Sequence, residues 1–152
     1  MTTTAAYADA AALAGTDLGW SDWLEVTQDR IDTFADATDD HQWIHVDPER
    51  AAAGPFGAPI AHGYLTLSLT VKFWTELFDL EGVSTKVNYG LDKVRFPAPV
   101  PVNSKLRAER TLLEADLKAP NTIQLKQQIT IEIEGSGKPA CVAEFLTRLI
   151  YS

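Results

Sequence analysis

The chain has 152 residues, 45% hydrophobic and 22% charged, with four Trp and six Phe, which suits one domain with its own core. A formal net charge of −8 without a Lys/Arg cluster argues against a nucleic-acid partner. The single cysteine, Cys141, excludes an intramolecular disulfide and a multi-cysteine metal cage; with no basic region before Arg30 and no long apolar run, a cytoplasmic protein independent of membranes is expected.

Ala5 to Leu13 reads as a short helix before Gly15, and Ser21 to Val26 as a strand. Thr27 is placed to cap a helix carrying Ile31, Phe34 and Ala35 at helical spacing, which stops near Thr38. Asp39 to Val46 has no clean period and reads as a loop. Asp47 then offers an N-cap, Pro48 suits the first helical position and Gly54 ends the turn, leaving loop as far as Pro59. From Tyr64 to Phe78 the sequence is apolar on nearly all sides, the mark of a buried helix.

After Gly82 the period changes. Val87 to Tyr89, Leu91 to Phe96, Ser104 to Glu114, Thr122 to Glu134 and Ala140 to Tyr151 read as strands. In the fourth, Ile123, Leu125, Gln127, Ile129, Ile131 and Ile133 share one face. No repeat or linker divides residues 1–152, so one domain is expected. A buried helix followed by long antiparallel strands is an α+β pattern, and a curved sheet is the only element left to cover the helix. That is the layout of a single hotdog fold.

Chemistry-bearing residues cluster before the apolar helix. The three histidines, His41, His45 and His62, fall within 22 residues, with Asp39 and Asp40 beside the first. Five residues separate Asp40 from His45, which is ~140° around a helix and opposite faces of a strand. The two can converge only across irregular backbone. His41 and His45 have the i,i+4 spacing of a zinc chelate, but the segment does not read as helix and no metal is expected. Gly63 opens the buried helix, where N–H groups lack partners, the helix dipole is positive and a missing Cβ permits close approach. His62 is expected to position this loop through a backbone hydrogen bond, and Trp43 to pack over it. Cys141 reads as core, and Ser68 and Thr70 as hydroxyls bonded to their own helix.

The run Thr38-Asp39-Asp40-His41-Gln42-Trp43-Ile44-His45-Val46-Asp47-Pro48, with Pro59-Ile60-Ala61-His62-Gly63 and Val94-Arg95-Phe96-Pro97-Ala98-Pro99-Val100, resembles the MaoC-like hydratases. These include the (R)-specific enoyl-CoA hydratases and the NodN-like proteins. The resemblance implies Asp40 and His45 as the catalytic pair, the Gly63 N–H as the donor to the thioester carbonyl with His62 beside it, and (R)-specific addition of water to a trans-2-enoyl-CoA. It further implies no cofactor beyond the coenzyme A of the substrate, and a homodimer joined through sheet edges. Asp39 stands where the family usually has Gly, and Gln42-Trp43 replaces its usual Asn-Pro, as in the NodN-like branch. Val71 aligns with the family's assisting Ser, leaving Ser68 and Thr70 nearby. Lys93, Arg95 or Lys138 would supply nucleotide contacts.

Two other functions fit such a fold. A hotdog acyl-CoA thioesterase needs a carboxylate beside the helix facing the thioester, and Glu76, the acidic residue well inside it, lies far from Gly63. A non-catalytic acyl-thioester binding module would have no need of both Asp40 and His45.

Overall fold

The computed structural model describes residues 2–5 and 7–152. Its framework is antiparallel: β2 (Asp17–Trp20) and β3 (Leu24–Glu25) pair with β6 (Lys105–Ala119), β6 with β7 (Thr122–Ile133), β7 with β8 (Cys141–Tyr151), and β8 with β5 (Val83–Arg95) at the far edge. The period-two reading of β7 holds. Ile123, Leu125, Gln127, Ile129, Ile131 and Ile133 are all buried, and each aliphatic member stabilises the fold by ~1.5–3 kcal/mol.

Helices pack against this sheet. Helix α1 (Gln28–Thr38) begins at Thr27, whose hydroxyl accepts from the Arg30 N–H at 3.2 Å, and ends at Asp39 with a left-handed φ of 60°. Helix α2 (Trp43–Val46) and α3 (Pro48–Ala52) follow, the latter capped by Asp47, which accepts from Arg50 N–H at 3.0 Å. Next come α4 (Gly63–Ser68) and α5 (Thr70–Leu77), joined at Leu69, which keeps right-handed dihedrals. Leu65, Leu69 and Phe73 enter one core cluster with Ile129, Ile131 and Phe145; Trp74 and Leu77 enter a second with Leu112, Leu125 and Leu149.

Several readings change. Residues 43–46 are helical and not loop; one turn is too short for periodicity to reveal. The short helix near the N-terminus is 3-10 over Tyr7–Leu13, and only Leu24–Glu25 of the expected second segment is strand. The apolar stretch from Tyr64 is interrupted at Leu69, and Phe78 starts β4 (Phe78–Leu80), which pairs in parallel with β1 (Thr3–Ala5). Nor is it buried all round: Tyr64 is 71% and Val71 48% exposed. Hydropathy reports how much apolar surface a helix has, not whether its own chain covers it.

The two segments expected at 87–89 and 91–96 form one strand. Register shifts at Asn88/Gly90 and Leu91/Lys93 flip the facing side and break the alternation that periodicity relies on. This strand leaves Val87, Tyr89 and Leu91 exposed and presents an open edge. Among the described residues, no helix is long and apolar enough to cross a membrane.

Candidate active site

The end of α1 sets the geometry. The left-handed turn at Asp39 swings the chain out of the helix, so that Asp40 lies in the connection to α2 with its side chain about half exposed (52%). Glycine is the usual residue for such a position, and aspartate is among the few others that tolerate it. Asp39 therefore takes this left-handed turn without a glycine. Asp40 Oδ1 accepts a long 3.4 Å contact from the Gln42 N–H, which starts the turn into α2.

His45 rides on α2 and is buried. Its Nδ1–H donates to the Ile60 carbonyl at 2.6 Å. That bond fixes the tautomer and leaves Nε2 with a free lone pair. Gln28, near the start of α1, donates from Nε2 to the His45 carbonyl at 2.8 Å and to Asp32 at 2.9 Å, tying α2 to α1. Burial lowers the His45 pKa, and neighbouring His62 lowers it further, against the raising influence of Ile60 and Asp40. The imidazole is thus neutral and a base at neutral pH.

His62 precedes α4 and is also buried. Its ring stacks on His45, centroids 3.9 Å apart at 25°, and tilts against Phe34 at 4.9 Å. Its Nε2–H donates to the backbone carbonyl of Asp40 at 2.9 Å. This is the loop-positioning bond expected of it, and the stacking adds a direct link to His45.

One side-chain nitrogen or oxygen atom from each of Asp40, His45 and His62 lies within 4.8 Å of the other two. No direct hydrogen bond joins Asp40 to His45 among the bonds of the described residues. Two hydrogen bonds of ~2.8 Å meeting at a water's tetrahedral angle span ~4.6 Å, so groups within 4.8 Å of one another can share one water. The same three side chains are a donor set that could hold a metal ion. The His41–His45 chelate does not form: His41 turns to Asp36 at 2.9 Å, on the surface.

Gly63 is the first residue of α4, and the Leu65 and Thr66 N–H groups both turn to the His62 carbonyl. Its own N–H belongs to the part of a helix without an intrahelical acceptor. A Cβ there would sit 3.3 Å from the Phe96 ring. The glycine eases this close approach and serves no left-handed turn, and the contact joins the His62-Gly63 and Arg95-Phe96-Pro97 segments in space. Phe96 was not singled out in the sequence. Only its place inside that second run could have flagged it.

Other candidates resolve simply. Trp43 packs on Gly54, where a Cβ would come within 2.8 Å of its ring, and under Arg50 at 4.4 Å. Burial pushes the Cys141 thiol up to about 11, leaving it inert as a nucleophile. Glu76 pairs with Lys72 and accepts from the Asp22 N–H at 3.0 Å, so it is not aimed at Gly63. Ser68 donates to the Tyr64 carbonyl at 2.6 Å, whereas the Thr70 hydroxyl is buried without a partner.

The family model described as MaoC like domain matches residues 9–133. A 3-hydroxyacyl-thioester dehydratase Z of Mycobacterium tuberculosis is 53% identical over 150 residues, covering 99% of this chain and 99% of its own. Nodulation protein N of Rhizobium leguminosarum bv. viciae is 43% identical over 142 residues, 92% of this chain and 88% of its own. Among solved structures, the (R)-hydratase from A. caviae involved in PHA biosynthesis superposes with a TM-score of 0.71 at 22% identity, over 88% of this chain and 94% of that one. That likeness is one of fold, and it agrees with the hotdog layout.

Proposed function

Because this chain belongs to the MaoC-like domain family, we propose that it is a hydro-lyase that interconverts 3-hydroxyacyl and trans-2-enoyl thioesters with (R)-stereochemistry, Asp40 and His45 sharing the reacting water. The observation that carries this reading is the 4.8 Å grouping of Asp40 and His45 with the His45 tautomer held by the Ile60 carbonyl.

In the hydration direction, water bridges Asp40 and His45. His45 Nε2 takes one proton as the water oxygen bonds to C3 of the enoyl group. The C2–C3 π electrons move toward the thioester, and the oxygen that gains charge accepts from the Gly63 N–H. Collapse of this enolate takes a proton at C2 from the Asp40–His45 pair, so that one water is added in total and both groups return to their starting states. Dehydration runs the same steps backwards. Asp40 orients the water, and His62 holds the Asp40 backbone and the His45 ring in register.

On this reading the substrate brings its own coenzyme A, and the protein adds no metal or cofactor. A homodimer acting in the cytoplasm is part of the same proposal; the open β5 edge with exposed Val87, Tyr89 and Leu91 supports a second copy covering that face.

The test is the loss of enoyl-thioester ultraviolet absorbance on trans-2-enoyl-CoAs, with Asp40→Asn and His45→Gln beside the wild type. Hydration that collapses in both variants is the expected outcome. Release of free coenzyme A without hydration would replace this reading by a thioesterase, and inertness in both assays by a binding module.

A further inference from the structure

A second cluster of buried polar side chains lies beneath α5, apart from Asp40 and His45. Arg110 of β6 has no exposed surface, and its guanidinium sits 5.2 Å from the ring centroids of both Trp74 and Phe145. Its Nη2 donates to the side-chain oxygen of buried Gln127 on β7. Arg110 Nε and Nη1, Gln127 Nε2 and Trp74 Nε1 have no hydrogen-bond partner among the described residues, nor do the hydroxyls of Thr70 and Thr147. The ion pairs of the described residues bring no carboxylate to Arg110.

Buried arginines are ordinarily paired with an acid. Here the aromatic faces offset only part of the charge. The four unpaired nitrogens are all donors, and the two hydroxyls can turn either way. The unpaired nitrogens of the cluster are donors in want of acceptors. Burial pulls the guanidinium down to about 9, so it remains charged at neutral pH.

Its position relative to the proposed active site is informative. Thr70, Trp74 and Phe145 line a cleft of about 350 Å³ between α5 and strands β5 and β8. A neighbouring cleft lined by Tyr64 and Phe96 shares Leu67, Ser68 and Leu91 with it. Phe96 is the ring that lies over Gly63. Together the clefts follow α4 and α5 from Tyr64 to Trp74, ~15 Å of helical rise, with mostly apolar walls, and Arg110 lies behind the Trp74 and Phe145 rings. An acyl chain entering at Gly63 would run toward Trp74 and Phe145, and displacement of one of these rings would bring its end to the guanidinium.

We infer that this path takes the acyl chain of the thioester and that Arg110 with Gln127 recognises an oxygen acceptor at its far end, so that acyl groups ending in a carboxylate are preferred to those ending in a methyl. The assignment rests on the hydro-lyase reading for the identity of the thioester. A terminal carboxylate would accept from Arg110 Nη1 and Nε and supply the missing counter-charge.

The experiment measures calorimetric binding of two saturated acyl-CoAs of equal chain length, one ending in methyl and one in carboxylate, and in parallel the hydration of the matching enoyl-CoAs. The wild type should bind the carboxylate-ended ligand on the order of 10- to 100-fold more tightly, the range expected of hydrogen bonds to a charged group. The paired substitution Arg110→Met with Gln127→Leu, checked for folding by circular dichroism, should abolish the preference, and Arg110→Lys should keep part of it. Equal or weaker binding of the carboxylate-ended ligand by the wild type overturns the inference, as does a preference that survives the paired substitution. Preference in binding without hydration would sink the hydro-lyase reading and leave the acceptor site standing; hydration without preference would do the reverse.

Discussion

At the start of α4, His45 and His62 are buried with one ring nitrogen each donated to a backbone carbonyl, those of Ile60 and Asp40. Beneath α5, Arg110 and its neighbours hold donors that no acceptor among the described residues meets. The backbone explains the difference. Loops around residues 40 and 60 have carbonyls not claimed by a ladder, and these orient the imidazoles before any ligand arrives. The sheet interior around Arg110 and Gln127 has its carbonyls engaged in strand pairing, as the register of β6 with β7 shows, so a side-chain donor there must look elsewhere. At the α4 end the imidazole N–H groups find backbone acceptors, leaving His62 Nδ1 and the Thr66 hydroxyl unpaired among the described residues; at the α5 end it is nitrogen donors that stay unpaired.

The sharpest way to break this contrast is to remove the proton-handling groups. Asp40→Asn and His45→Gln should each lower enoyl-CoA hydration by ~10²–10⁴-fold while leaving the thermal midpoint within a few degrees. A loss of activity that tracks unfolding would make the α4 end structural and erase the distinction.

Stability is the readout at the other end. Arg110→Ala should destabilise the protein by ~3–5 kcal/mol in urea unfolding, because it opens a cavity and strands Gln127. The paired change Arg110→Met and Gln127→Leu should be neutral or stabilising by ~1–4 kcal/mol, since it removes a buried charge and its polar partner together. A paired variant as weak as Arg110→Ala would mean that the cluster is structural cement.

Titration sharpens the comparison within the histidines. Burial holds the His45 pKa below 6.5 in the folded state, so the acid limb of kcat/KM should fall below pH 6.5. The linked stability is present in full above pH 6.5 and is lost as pH falls through the folded value, because the unfolded chain takes up the proton first. Exposed His41 goes the other way, raised by its hydrogen bond to Asp36. Imidazole resonances followed by NMR should therefore titrate with His45 below and His41 above the ordinary value, and the reverse order would remove the case for His45 as the resident base.

The smallest expected effect concerns the turn that delivers Asp40. Asp39→Gly should stabilise the protein by less than ~1 kcal/mol, because glycine adopts a φ of 60° without a Cβ penalty. Asp39→Val should cost more than that in thermal denaturation, and its hydration rate should drop as Asp40 loses its placement.

Much of the architecture was legible because its determinants are local. Thr27 and the Asp47-Pro48 pair cap their helices through contacts within three residues, and β7 alternates strictly because one face packs on the core. The same period places Leu106, Ala108, Arg110 and Leu112 on one buried face, so the inward position of Arg110 could have been counted out from β6. What surrounds its guanidinium could not. Trp74 and Phe145 come from other elements, and β5 hides its pairing behind three register shifts. The sequence by itself determined the helix caps, the period of the strands and which residue types were available for chemistry. Tertiary structure alone decided that Asp40, His45 and His62 meet within 4.8 Å, that the Ile60 carbonyl sets the His45 tautomer and that Phe96 lies over Gly63. Those relations depend on distances between segments far apart in the chain, which packing sets and which no local propensity encodes.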